Sequence, residues 1–358
     1  MRAGARAAAG SWRVLNAVNQ VQAYGDHGAT VGYRWKETYV DRDLIAALSP
    51  SDRTWPIFAR KAGVPGFRLV CYDAPVEEIF LDQISSARFD VAELSLASYL
   101  IAVGRGETQL TAIPVFLSRA FRHNAIFVRA DSPLQRLSDL RHVRFGFPEF
   151  QMTAAVWVRA LLREAGGIAP DEIEWVTYRP ERVPVAVPVR HGRAPDIFQG
   201  LISGEVDAIM SARRPPHDYF PATGVPGLVR RLLPTPWHDE REYYQQTGMF
   251  PIMHLVSLRR EVVEQWPELP LALYQLFADV KADAVRRLGE TVTTAVASPW
   301  LIEGVEATAA VTGNDVWPYG LARNWSQIEQ FMRYLISDGL LDRVLSPADV
   351  FASAVSNT

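Results

Sequence analysis

A single cysteine, Cys71, occurs among the 358 residues. One thiol can form no internal disulfide and assemble no cysteine-based zinc centre. Its setting, "FRLVCYDAP", is apolar and suits a structural thiol better than a nucleophile. A charge excess of one sign is also missing, since 37 Lys and Arg against 40 Asp and Glu leave a formal charge of −3. The chain therefore offers no field for a phosphate backbone or an anionic membrane surface, and neither nucleic acid nor membrane is an expected partner. No window reaches the apolar length of a membrane span. The opening "MRAGARAAAGSWRVLNAVNQ" has no continuous apolar core of the secretory kind, so the expectation is a soluble, cytoplasmic protein.

Several chemical signatures are absent as well. "GRG" at 104–106 lacks the Lys-Ser/Thr continuation of a phosphate loop, and there is neither an HExxH pair nor a serine nucleophile elbow. The seven histidines are scattered without metal-ligand spacing. Neither a metal nor a cofactor is expected.

What is present is the composition of a globular protein, 48% hydrophobic and 22% charged, long enough for two lobes. From about residue 66, short apolar runs alternate with helical patterns, the rhythm of α/β units with a largely parallel sheet. "FRLVCYD", "FDVAEL", "NAIFVRA", "VRFGFPE", "IEWVTY", "VDAIMSA" and "IMHLVSL" read as strands. "VEEIFLDQISSA", "SLASYLIAVGRG", "TAAVWVRALLREAG" and "DIFQGLISGE" read as helices, and a proline-punctuated helical region follows residue 259. Residues 179–196, rich in Pro and Arg, and the irregular stretch 213–248 are each either a solvated connector or a cover over a cleft. "YGDHGATVGYRWKETYVDRDLIAAL" shows no clear periodicity.

Strand ends that run into helix N-termini are natural anion sites, because free backbone N–H groups and the helix dipole both favour negative charge. In "FGFPEFQMTAAVWVRALL", Pro148 stops a strand, and Gln151, Met152 and Thr153 stand at a helix entrance. Thr153 either caps that helix or joins Gln151 and the backbone in holding a carboxylate. "FDVAELSLASYL" repeats the layout: Ser95 and Ser98 lie in a first helical turn, as cap or ligand contact, behind Glu93 at a strand end, where a carboxylate can act as acid, base or acceptor.

His254, inside "FPIMHLVSL", is either a satisfied structural group or a proton donor tuned by burial against a bound anion. In "SRAFRHNAIFVR" an extended backbone puts Arg119, Phe121 and His123 on one side and Arg122 with Asn124 on the other, unless a turn intervenes. Arg213, in "SAR" with Ser211, reaches a strand end from another segment. Two arginines from separate segments suit a dianion, each guanidinium gripping a carboxylate through two hydrogen bonds.

At these residues the chain resembles the 4,5-dihydroxyphthalate decarboxylase family. The segments that carry the likeness are "FDVAELSLASYL", "FLSRAFRHNAIFVR", "FPEFQMTAAVWVRALL", "LISGEVDAIMSAR", "YYQQTGMFPIMHLVSLRR" and "NDVWPYGLARNWSQIEQFMRYLISDGL", spanning about Gly66 to Leu341. The resemblance implies an α/β, two-lobed fold like that of type II periplasmic binding proteins, each lobe a mixed sheet flanked by helices, with a two-strand hinge. It implies one discontinuous lobe of residues 1–126 and 251–358 and an inserted lobe of 127–250. The strand and short Asp-containing loop with which such proteins open are not recognised in "VLNAVNQVQAYGDHGATVGYRWKETY", and the first 65 residues read as divergent.

The implied activity is cofactor-independent decarboxylation of a hydroxylated aromatic acid by ring protonation. His254 or His123 would donate the proton and Glu93 would partner the phenol. Arg122, Arg213 and the turn Gln151 to Thr153 would anchor carboxylate. Arg119, Ser95, Ser98, Glu149, Met152, Ser211 and Tyr319 complete the implied substrate contacts. The partner is a small aromatic carboxylate, and a homodimer is compatible with the reading. Two alternatives stand beside it: a ligand-binding or sensing protein without chemistry, and a related enzyme for another cyclic carboxylate, of menaquinone-pathway or natural-product type.

Overall fold

The computed structural model describes residues 42–187, 189–221, 225–313 and 315–358. The opening stretch read above for a secretory leader, and the window "VLNAVNQVQAYGDHGATVGYRWKETY", lie outside them. Among the described residues no helix is long and apolar enough to cross a membrane.

Among the described residues eleven strands form two mixed sheets. They are β1 (Arg42–Ala47), β2 (Phe67–Tyr72), β3 (Val91–Ser95), β4 (Leu110–Arg119), β5 (Ile126–Arg129), β6 (Arg144–Phe147), β7 (Glu174–Thr177), β8 (Arg190–His191), β9 (Ala208–Met210), β10 (Val229–Arg231) and β11 (Ile252–Arg259). The helices that flank them are α1 (Trp55–Phe58), α2 (Val76–Ser86), α3 (Leu96–Gly104), α4 (Thr153–Glu164), α5 (Ile197–Ile202), α6 (Pro236–Thr247), α7 (Arg260–Gln265), α8 (Leu269–Leu288), α9 (Leu301–Thr312), α10 (Leu321–Ser337) and α11 (Pro347–Val350).

The first sheet has the order β2-β1-β3-β11-β4 and the second β10-β5-β9-β6-β7-β8. In the first, β1, β2 and β3 are parallel, and β11 runs antiparallel to both β3 and β4. The C-terminal ends of β1 to β4 and the start of β11 therefore share one edge. In the second, β6, β7, β8 and β9 are parallel while β5 opposes β9, so Phe147, Thr177 and Met210 end on one edge. The chain crosses from one sheet to the other between β4 and β5 and returns between β10 and β11. The two crossings meet where the Ala120 amide donates to the Pro251 carbonyl at 3.0 Å. On this topology we propose, for the described residues, a lobe division of 42–126 with 251–358 against 127–250.

Two expectations change. Past Arg119 the extended alternation fails: β4 ends there and a 3₁₀ turn, His123–Ala125, intervenes, so side chains of 119–124 do not sort onto two faces of one strand. The front of the described chain is not irregular either. "RDLIAA" is β1, an inner strand with Leu44, Ala46 and Ala47 buried, and an Asp-containing turn, Ser49 to Arg53, follows it.

Strand β3 is buried at every position, as expected for a strand covered on both faces. Helix α4 is buried along most of its length and carries Arg159 fully buried. Its guanidinium lies 3.8 Å from the Phe150 ring centre, and its Nη2 is 2.7 Å from Asp338, just beyond α10. Arg163 Nη1 reaches the other Asp338 oxygen at 2.5 Å. Removing the shared carboxylate would strand a buried cation, so Asp338→Ala is expected to lose about 3 kcal/mol in equilibrium urea unfolding. A loss under about 1 kcal/mol would show the triad to be dispensable.

Candidate functional site

Glu93 is the exception in apolar β3, and the strand register explains its partner. His254 stands opposite Ser95 and Val256 opposite Glu93, so Glu93 and His254 are diagonal neighbours on adjacent strands, within reach of long side chains. His254 Nδ1 lies 2.7 Å from Glu93 Oε1, and the Ser49 amide donates to Glu93 Oε2 at 2.9 Å. Burial alone would raise the Glu93 carboxyl, but the hydrogen bonds from His254 and Ser49 outweigh it and hold the group below its ordinary value. With an ionised Glu93, Nδ1 carries a proton. Nε2 makes no hydrogen bond among the described residues, and the imidazole keeps 21% of its surface exposed. Phe80 of α2 meets the ring edge-on, with centroids 4.7 Å apart.

The strand-end edge of the second sheet abuts this one. Thr153 does not cap its own helix, where Met152 holds the cap position. Instead its Oγ1 accepts from the Ala97 amide in the first turn of α3 at 2.9 Å and lies 2.9 Å from Ser95 Oγ. Two helix N-termini thus converge on a pair of hydroxyls. Ser98 Oγ is 2.7 Å from Gln151 Oε1, and Gln151 Nε2 donates to Glu149 at 2.9 Å. Glu149 in turn pairs with Arg182 Nη2 at 2.9 Å, and Glu181 accepts from the Phe150 and Gln151 amides. Two hydrogen-bonded groups therefore adjoin along β3, one of Glu93, His254 and Ser49 and the other of Ser95, Ser98, Thr153, Gln151 and Glu149.

The cations singled out from sequence are dispersed. Arg119 is buried and donates to the carbonyls of Phe250 and Pro318, both at 2.8 Å, and to Asn324, tying β4 to the start of α10. Burial pulls its guanidinium down to about 9. Arg122 and His123 line a recess of about 10 Å³ with Trp157, Leu161, Tyr243 and Pro251. Arg122 Nε points at Met253 Sδ, 3.3 Å away. His123 Nδ1 is buried without a hydrogen-bond partner among the described residues, and burial pushes the imidazole down to about 4 against a weaker pull from Asp239. Arg213 grips Glu77 in the first turn of α2, its Nη2 2.6 Å and 2.7 Å from the two carboxylate oxygens, while Ser211 Oγ donates to the Arg213 carbonyl. Tyr319 is buried, its hydroxyl without a hydrogen-bond partner among the described residues, and burial raises its pKa. Among the described residues no three histidine, cysteine, aspartate or glutamate side chains converge as metal ligands.

Ser49, Phe80, Glu181 and Arg182 were not anticipated. The turn run "LSPSDR" directly after an apolar hexad marks a strand end and could have revealed Ser49. Arg182 sits in the 179–196 stretch, where nothing local distinguishes it from three neighbouring arginines at 179, 190 and 193.

Comparison with known proteins agrees with this architecture. A family model described as the periplasmic substrate-binding protein of a phosphonate ABC transporter matches residues 63–219. The aliphatic sulphonate binding protein SsuA from Escherichia coli superposes with a TM-score of 0.52 at 13% identity, covering 88% of this chain and 99% of that one. The desulfurization enzyme DSZB bound to biphenyl-2-sulfinic acid does so with a TM-score of 0.50 at 18% identity, over 89% of this chain and 99% of that one. At such identities these likenesses establish the fold, a two-sheet α/β architecture of the solute-binding type. In sequence, the 4,5-dihydroxyphthalate decarboxylase of Comamonas testosteroni is 35% identical over 87% of this chain and 96% of its own length. That of Pseudomonas putida is 38% identical over 48% of this chain and 71% of its own. The chain belongs to the 4,5-dihydroxyphthalate decarboxylase family.

Proposed function

We propose that this protein decarboxylates a hydroxylated aromatic dicarboxylate of the 4,5-dihydroxyphthalate type, without a cofactor, by protonating the ring. The observation that carries the reading is the Glu93–His254 pair at a strand-end edge, beside two helix N-termini that favour carboxylate.

Direct loss of carbon dioxide from an aryl ring leaves an unstabilised carbanion in the ring plane. Protonation first avoids it. The phenol para to the reacting carbon releases its proton to solvent and becomes carbonyl-like, and the imidazolium form of His254 passes its Nε2–H proton to the ring carbon. The bond to the carboxylate then breaks, its electron pair restores the aromatic ring and the phenolate, and carbon dioxide departs. The imidazole and the phenolate each take a proton from solvent, which, set against the one the phenol released, leaves a net uptake of one.

His254 suits the donor role better than His123, whose burial holds it neutral at physiological pH. Both Glu93 oxygens are engaged, so Glu93 orients His254 and stabilises its cation rather than touching the phenol. The reacting carboxylate is assigned to the Ser95, Ser98 and Thr153 hydroxyls at the facing helix starts. Arg122, Arg213, Met152, Ser211 and Tyr319 remain candidates for substrate contact, with Arg213 released from Glu77 on binding. Arg119 serves the framework.

The test is incubation of the purified protein with 4,5-dihydroxyphthalate, following carbon dioxide and 3,4-dihydroxybenzoate in equal amounts. A ligand-induced thermal shift without gas would instead identify a binding protein and overturn the reading.

A further inference from the structure

Arg182 lies on the irregular stretch between β7 and β8, yet its side chain is only 10% exposed. Its Cζ sits 5.7 Å from the centre of the Phe80 ring, which belongs to α2 of the first sheet and touches the His254 imidazole. A guanidinium delivered by the second sheet's loop thus stands one aromatic ring away from the proposed proton donor. Three other arginines are committed elsewhere. Arg213 holds Glu77, Arg119 holds backbone carbonyls, and Arg53 holds Asp52 and the Leu117 carbonyl.

The partner of Arg182 is poorly placed as a permanent one. Glu149 is buried beside a second carboxylate, Glu181. Burial raises its carboxyl, Arg182 opposes that, and the Glu181 charge adds to it. Gln151 already satisfies one Glu149 oxygen and links it through Ser98 to the hydroxyls at the helix starts. A ligand carboxylate entering here would meet a planar guanidinium and relieve a crowded acid.

We propose that Arg182 recognises the second carboxylate of an aromatic dicarboxylate, and that Glu149 is an internal stand-in which the substrate displaces. The inference rests on the decarboxylase reading for its substrate but concerns recognition alone. Phe80 supplies the flat face against which the substrate ring lies, between Arg182 and His254. Displaced from its cation and still beside Glu181, Glu149 takes up a proton, so dicarboxylate binding draws protons from the buffer.

The probes are phthalate and benzoate, unreactive acids with two carboxylates and one, titrated calorimetrically into the wild-type protein and Arg182→Gln. The wild type is expected to prefer phthalate. In the variant phthalate affinity should fall by about 10- to 100-fold, the worth of a charge-assisted hydrogen-bonded pair, down to that of benzoate. With 4,5-dihydroxyphthalate, KM should rise by a similar factor while kcat stays within about threefold. Arg182→Lys, which keeps the charge and loses the fork, should fall between the two and serves if the glutamine variant does not fold. An unchanged phthalate preference overturns the inference even if the wild type decarboxylates. A wild type that selects phthalate through Arg182 but releases no carbon dioxide overturns only the catalytic reading.

Discussion

His254→Ala is expected to lower kcat on 4,5-dihydroxyphthalate by about 1,000-fold, within the range that a positioned general acid contributes. KM should change little, because the hydroxyls and arginines assigned to the carboxylates are untouched. The imidazole packs edge-on against Phe80 and is partly exposed, so its loss should leave the fold intact, which a thermal melt will verify. His123→Ala supplies the contrast. Its ring sits in a recess of about 10 Å³ with Tyr243 and Trp157, and its removal should affect kcat by less than about threefold. Normal turnover by the His254 variant would eliminate it as donor.

Glu93→Gln is expected to lower kcat by about 100- to 1,000-fold, since an amide can neither fix the imidazole orientation as firmly nor stabilise its cation. It should also alter the response of stability to acid. In the folded protein the Glu93 carboxyl lies below its ordinary value, so the unfolded chain binds more protons in the interval between the two. Its contribution to stability is therefore complete above the ordinary carboxylate value and disappears as the pH falls through the lower, folded one. The glutamine variant should melt lower than wild type at pH 7 and converge with it in acid. Parallel melting curves from pH 7 to pH 3 would show that Glu93 is not held ionised by its partners.

Strands β2, β3, β5, β6, β7, β9 and β11 and helices α2 to α5 were legible because short apolar runs separated by helical periodicity carry the α/β signal, whereas the proline-bearing β4, the short β8 and β10 and the polar α6 within the stretch read as irregular were not. Strand β1 was hidden by its own composition. "RDLIAA" begins with two charges, leaves Ile45 exposed and fills two of its three buried positions with small alanines, so no alternation stands out. The helix starts at Ser95 and Thr153 were visible as strand-to-helix junctions, but that Thr153 would serve the other helix depends on the approach of two segments 56 residues apart. The same limit applies to Glu93 and His254, 161 residues apart, whose pairing follows from strand register rather than spacing. Arg119 and Arg213 looked available because charge is visible in a sequence while a Pro318 carbonyl or a Glu77 carboxylate waiting nearby is not.

The hydroxyl of Thr153 makes α3 a helix whose first turn is finished by a residue from the opposite half of the molecule. Any parting of the halves leaves that turn to the solvent, at an expense of about 1 kcal/mol, the ordinary value of a lost cap. An arriving carboxylate can occupy the same donor with a full charge aligned to the helix dipole. On the proposed reading, substrate binding is an exchange of caps, a neutral one surrendered for an anionic one, and the helix itself would sense whether the gap is filled.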